Sequence, residues 1–258
     1  MKMKTKHIII FSVLWLTIAC TSTGSSQTHG LINSQIYMDT FKTKSGKEVK
    51  FTPIKHASME ISFGNVKIQV DPVIDATPPH TDYTLFSKAD YILITHEHYD
   101  HLDIEAVKTL SKENTVIVTN KNSADQLGKG KIMANGDTLQ LADDIWMEAV
   151  PAYNTTPAHM QFHPKGRDNG FILVLDGLRI YIAGDTEDID EMADVKDIDV
   201  AFLPCNQPYT MTPQQLRRAA DIVKPRVLFP YHYGDTDTTA IIQSLERTGI
   251  DVRIRNFE

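Results

Sequence analysis

The stretch Tyr91-Ile92-Leu93-Ile94-Thr95-His96-Glu97-His98-Tyr99-Asp100-His101 decides how this chain is read. Its first half is an unbroken apolar run, as expected of a strand buried on both faces. Its second half packs the imidazoles of His96, His98 and His101 and the carboxylate of Asp100 into six residues. Imidazole nitrogens and carboxylate oxygens are the ligands that suit zinc and its neighbours. Side chains just past the end of a buried strand occupy a rigid, solvent-reachable rim, where open α/β sheets carry their sites. The bland alternative is a polar loop that happens to be His-rich. A solvated charge run would be more random and would not follow a strand directly.

Working outward, Val49–Lys55, Ala57–Phe63 and Val66–Val70 read as consecutive strands, with Gly64-Asn65 as a hairpin turn. Asp71-Pro72 ends that meander. After the His cluster, Ile104–Leu110 reads as a helix and Thr115–Thr119 as a short strand. Thr138–Leu141 and Ile145–Val150 read as a pair of strands. Phe171–Leu175 and Leu178–Ala183 flank Asp176-Gly177, a strong hairpin signal. Asp199–Leu203 is a strand, and Thr212-Pro213 caps a helix reaching about Lys224. Arg226–Pro230 is a strand, Thr239–Thr248 a helix and Val252–Arg255 a last strand. Each half is a group of strands followed by strand–helix alternation. Two such halves with helices outside predict an α/β fold, a four-layer αββα sandwich.

The chain has 258 residues, 41% of them hydrophobic and 23% charged, enough to bury a core without disulfide staples. Net charge is −7, and no Lys/Arg block stands out beyond the N-terminus. A nucleic-acid partner, which needs clustered cations, is disfavoured. Lys2, Lys4 and Lys6 precede an apolar stretch, Ile8 to Ala19, which is short for a bilayer span and right for a signal-peptide core. Ala19-Cys20 resembles the lipobox of bacterial lipoproteins, although Thr17 stands where that pattern usually has Leu. The expectation is an export signal over 1–20, a flexible tether over 21–40 and one domain over 41–258. Cys20 would then carry lipid and tie the chain to the bacterial cell envelope, in the periplasm or at the cell surface. Ordinary cleavage near Ala19, or an uncleaved anchor, is the alternative. Cys205, at the end of an apolar strand, reads as a buried thiol rather than a ligand or nucleophile.

Further ligand candidates stand at or beyond other strand ends. Asp185, in Gly184-Asp185-Thr186, follows Ile180–Ala183, and a carboxylate behind a Gly can approach two cations. Taken alone it would be an Asx-turn or a helix cap. His232 lies between Tyr231 and Tyr233, a setting that usually means a packed histidine. Its strand-end placement favours a ligand instead. The loop Tyr153 to Asn169 holds His159 and His163. His163 is preferred because Pro164 and Gly166 constrain its backbone, with His159 kept as the alternative.

This ordered set resembles the metallo-β-lactamase superfamily. The resemblance runs from about Val49 to the C-terminus, and the ordered set is highly specific. Its metal-dependent hydrolases of the ascorbate-phosphate-lactonase-like branch look closest, since Lys55-His56-Ala57-Ser58 and Asp71-Pro72 match segments that precede their metal motif. The resemblance implies that His96, His98 and the loop His hold one divalent ion. Asp100, His101 and His232 would hold a second, and Asp185 would bridge both. The chain departs from the family at the third motif, where Pro151-Ala152-Tyr153-Asn154 replaces a His directly at the strand end. True β-lactamases of the fold typically lack the bridging Asp, so the family name does not give the activity.

What the resemblance implies is a hydrolase in which a hydroxide bound between two ions attacks a small ester, lactone or phosphodiester. Zinc is the expected metal, with manganese and iron also suited. Asp71 either orients a ligand imidazole or only forms the turn before Pro72. Glu97 reads as structural. Asp100 serves as ligand and catalytic group, and Tyr209 or His56 could protonate a leaving group. The partner is a small-molecule substrate. It would be anionic if Lys165 or Arg167 faced the ions rather than solvent. The competing functions are a non-catalytic metal- or ligand-binding lipoprotein on the same fold and a phosphodiesterase or nuclease member.

Overall fold

Alternate side chains of the Tyr91–Ile94 strand face different layers. Leu93 enters the core between two sheets, while Ile92 and Ile94 pack beneath a helix. Both faces are therefore apolar, and the run is unbroken. The computed structural model describes residues 38–74 and 80–257. The expected export signal, 1–20, and most of the tether lie outside them.

The first sheet has seven strands side by side in chain order. They are β1 (Asp39–Lys42), β2 (Glu48–Lys55), β3 (Ser58–Phe63), β4 (Val66–Val70), β5 (Tyr91–Ile94), β6 (Val116–Thr119) and β7 (Lys131–Ile132). Pairing is antiparallel from β1 to β4 and parallel from β4 to β7. Helices α1 (Ile104–Leu110) and α2 (Lys121–Leu127) make the crossovers. The second sheet repeats the plan. Its strands are β8 (Thr138–Ala142), β9 (Ile145–Ala152), β10 (Asp168–Leu175), β11 (Leu178–Ile182), β12 (Val200–Pro204), β13 (Val227–Tyr231) and β14 (Asp251–Val252). It is antiparallel through β11 and parallel beyond, with α3 (Pro213–Val223) and α4 (Thr238–Ser244) as crossovers.

The inner faces of the two sheets meet in one core. Phe51 of the first sheet lies 5.5 Å from Phe202 of the second, and Phe202 stacks on Phe229 at 5.0 Å. Ala106, Val107 and Leu110 of α1 cover the outer face of the first sheet. Leu216, Ala219, Ala220 and Val223 of α3 form an i, i+3, i+4, i+7 stripe that covers the second. The result is the four-layer αββα sandwich expected from the sequence. Thr212 and Gln215 form a reciprocal capping box at the start of α3, with Pro213 beside it. Asp103 caps α1 by accepting from the Glu105 and Ala106 backbone N–H groups. Among the described residues no helix is long and apolar enough to cross a membrane.

Some elements differ from expectation. Strand β1 takes up Asp39 and Thr40, which composition places in the tether. Asp39 is held there by Arg253 and Arg255, more than two hundred residues away. Helix α2 carries no clear apolar period and is built on the Asn120 cap, which accepts from the Ser123 N–H. Helix α4 stops at Ser244, four residues short of the expected end, and β14 is confined to Asp251–Val252.

Candidate metal centre

Strand direction gathers the candidate ligands at one rim. Strands β2, β4 and β5 run the same way and end at His56, Asp71 and the His96–His101 segment. In the second sheet β9, β11 and β13 run together, and β10 starts where they end. Their ends carry Asp185 and His232, and Asp168 opens β10 just after His163. The two rims are joined directly. The Asn169 N–H donates to the Thr95 carbonyl at 3.2 Å, and the His232 N–H donates to the His56 carbonyl at 3.2 Å.

Gly184 sets the approach of Asp185. Its φ is +65°, and a Cβ there would lie 2.7 Å from the Asn169 carbonyl oxygen and 3.3 Å from the Thr95 Cβ. Only glycine lets the backbone run this close to β5 and β10. Its N–H donates to the Tyr231 hydroxyl at 3.0 Å.

Among the described residues the donors fall into adjoining groups: His96, His98 and His163; His56, Asp100, His101 and His232; and His96, His101 and Asp185. His96 Nε2 and His98 Nδ1 are 3.0 Å apart. Asp185 lies 3.2 Å from His101 Nε2, 3.2 Å from His232 Nε2 and 3.4 Å from His163 Nε2. Ligands about 2.0–2.2 Å from one ion stand roughly 2.8–3.6 Å from each other, depending on the angle. These separations are therefore of the size that the edges of a coordination polyhedron would have. His101 Nε2, Asp185 Oδ1 and both His232 nitrogens are buried with no hydrogen-bond partner, although carboxylate oxygens lie close by. Donors that converge without bonding to one another fit a shared cation.

The local charge agrees. Asp71, Asp100, Asp168 and Asp185 gather here, with Arg167 beside Asp168. Burial would raise the Asp185 carboxyl, but His232 and His101 hold it well below its ordinary value. Burial would likewise raise Asp100, and His232 and His56 bring it down. Burial works against protonating His101 and His232, yet Asp185 overrides it in both. His101 lies well above its ordinary value and His232 is raised to about 9. Burial and neighbouring imidazoles push His96 and His98 down, which keeps them in the neutral form that binds metals.

Two buried carboxylates hold candidate ligand rings from behind. Asp71 Oδ2 lies 2.8 Å from His101 Nδ1, and Asp168 Oδ2 lies 2.9 Å from His163 Nδ1. Each engages the ring nitrogen that faces away from Asp185, leaving Nε2 to face the cluster.

A family model described as the beta-lactamase superfamily domain matches residues 50–232. The chain belongs to the metallo-β-lactamase superfamily. A UPF0173 metal-dependent hydrolase of Thermococcus kodakarensis is 32% identical over 197 residues, covering 72% of this chain and 84% of the relative. A solved structure from Parabacteroides distasonis, assigned as a metal-dependent hydrolase, shares 56% identity with a TM-score of 0.83, covering 86% of this chain and all of its own. Igni18, a metallo hydrolase of Ignicoccus hospitalis, shares 26% identity with a TM-score of 0.67 over 81% of this chain and 95% of its own. This chain is thus a metal-dependent hydrolase of the superfamily.

Within this metallo-β-lactamase member, the loop contributes His163 to the cluster. His159 turns elsewhere, its Nδ1 lying 3.3 Å from buried Glu187. Glu187 also accepts from the Thr155 and Thr156 N–H groups, so it anchors the loop. Glu97 accepts from Asn120 and Asn122, a structural role. Lys165 pairs with Glu191 at 2.6 Å, away from the donors. Arg167 reaches to 3.2 Å from His98 Nε2 but is engaged by Asp168 and the Phe162 carbonyl. Tyr209 is half-exposed and packs edge-on against Phe162 at 5.0 Å, at the rim rather than among the donors. Cys205 is buried, and burial pushes its thiol up to about 12. Sequence reasoning missed Asp168, which has no local signal because its partners are set by the fold.

Proposed function

We propose that this chain is a two-ion hydrolase that cleaves a small ester, lactone or phosphodiester. The convergence of His and Asp donors from both sheets into adjoining groups carries the proposal. When bound, divalent ions such as zinc, manganese or iron supply Lewis acidity, acidifying water at the site and polarising a carbonyl or phosphoryl oxygen. His96, His98 and His163 would hold one ion, Asp100, His101 and His232 the other, and Asp185 would serve both. Asp71 and Asp168 keep the His101 and His163 rings turned with Nε2 inward. Asp185 and Asp100 stay ionised because imidazoles surround them. Arg167 and Lys165 are already paired, which favours a neutral ester or lactone over a phosphorylated one.

The decisive experiment measures the metal content of the purified chain and its turnover of esters, lactones and phosphodiesters. About two ions per chain and loss of turnover in His98→Ala are expected. A folded protein that takes up no metal would sink the proposal. Silence across every substrate class at full loading would point to a non-catalytic metal-binding role. We also propose export with lipid on Cys20, which predicts palmitate labelling that disappears in Cys20→Ser.

A further inference from the structure

His56 stands closer to the donors than a general acid or a turn residue needs to. Its Nε2 is 3.1 Å from Asp100 Oδ2, and its ring centroid is 3.7 Å from that of His232 and 5.9 Å from that of His101. One donor atom from each of these four side chains lies within 4.8 Å of all the others.

The backbone that delivers His56 is specialised. Its φ is +55°, in the left-handed region that non-glycine residues rarely occupy. His232 has a φ of +47°, and Asp71, behind His101, has one of +41°. Left-handed residues of this kind collect where a site over-determines the backbone. Here the His56 and His232 strains are coupled. The His56 N–H donates to the Phe257 carbonyl, and the His56 carbonyl accepts from the His232 N–H. The end of the first sheet and the end of β13 are thereby locked so that both imidazoles enter one space.

We infer that His56 is a fourth side-chain donor, with Asp100, His101 and His232, to the ion on that side of the centre. This rests on the two-ion reading. It makes the centre unequal. One ion is offered His96, His98, His163 and a share of Asp185. The other is offered His56, Asp100, His101, His232 and a share of Asp185. The first set suits tetrahedral zinc. The second, with three imidazoles and two carboxylates, suits an ion that takes five or six ligands, such as iron or manganese. The rival role, a hydrogen bond that only orients Asp100, requires the 3.1 Å contact but not the approach to His232.

The test titrates metal-free protein with cobalt, following calorimetry and the visible absorption that reports coordination number. Wild type, His56→Ala, His56→Gln and a His159→Ala control are compared. Glutamine can still donate to Asp100. Two binding steps are expected for wild type, one with the weak absorption of a high-coordinate ion. Both His56 variants should weaken that step at least about tenfold and alter its spectrum, leaving the other step and the control unchanged. Wild-type affinity and spectrum in His56→Gln would overturn the inference while leaving the two-ion reading intact. Fewer than two steps in wild type would overturn both. A measurement free of variants uses wild type loaded with an NMR-active cadmium isotope. Scalar coupling should reach the ring nitrogens of six histidines, and a count of five without His56 would refute its role.

Discussion

Asp71 Oδ2 stands 2.8 Å from His101 Nδ1, and neither side chain has any solvent exposure. Asp71 also accepts from the Thr95 N–H at 2.8 Å and the Thr95 hydroxyl at 2.7 Å. The residue that ends the first meander thus fixes both the ring of a candidate ligand and the strand end that leads to it. Asp71→Ala should lower affinity for one ion about 10–100-fold. Metal titration checks this, and unchanged affinity would reduce Asp71 to a turn-former.

His163 and His159 should separate cleanly. His163→Ala removes a donor 3.4 Å from Asp185 and should cost one bound ion and turnover. His159→Ala loosens the contact with Glu187 and the packing on Phe162. It should keep full metal content, read by elemental analysis.

Arg167→Ala leaves fully buried Asp168 without the guanidinium that donates to both its oxygens at 2.7 and 2.8 Å. Uncompensated buried charge costs on the order of 3 kcal/mol. A lower Tm should accompany weaker binding at the His163 side, because Asp168 also orients that ring. A variant of wild-type Tm would show Asp168 to be satisfied without Arg167.

Gly184→Ala puts a Cβ against the Asn169 carbonyl at a left-handed φ. Overpacking and backbone strain together should cost about 2–4 kcal/mol. Displacement of Asp185 should also lower metal content. Stability at the wild-type level would mean that the Gly184 backbone moves freely.

Acid should weaken the Asp39 clamp. Burial tends to raise this carboxyl, but hydrogen bonds from Arg255 and Arg253 hold it below the ordinary 3.8. A depressed folded-state value stabilises above the unfolded-state value, and the contribution fades as pH falls through the folded one. Asp39→Asn should be less stable than wild type at pH 7 by about 1–2 kcal/mol. The gap should narrow as pH falls below the ordinary carboxylate value. Urea midpoints across pH test this, and a constant gap would exclude the ion pair.

Much of the centre was legible because its signals are local. An apolar run followed at once by His96, His98, Asp100 and His101 specifies a buried strand and a ligand-rich end within eleven residues. Thr212-Pro213 marks the start of α3 for the same reason, since capping acts within a few residues. Asp176-Gly177 predicts the β10–β11 hairpin, and Leu175 indeed pairs with Leu178. Where signals were weak or distant, the pattern misled. Strand β1 has a polar composition and depends on Arg253 and Arg255, while α2 has little apolar period.

By itself the sequence determined the layer architecture, most of the strands and helices of each half and the types of donor at the strand ends. These follow from periodicity, turns and caps, which act over a few residues. The tertiary structure decided which donors meet. Asp168 and Glu187 divide His163 from His159, 5 and 28 residues from the rings they hold. Asp71 reaches His101 across 30 residues, because β4 and β5 are parallel neighbours ending at one rim. His56 meets His232 only because the two sheets pack face to face, a contact between strand ends that no local pattern encodes.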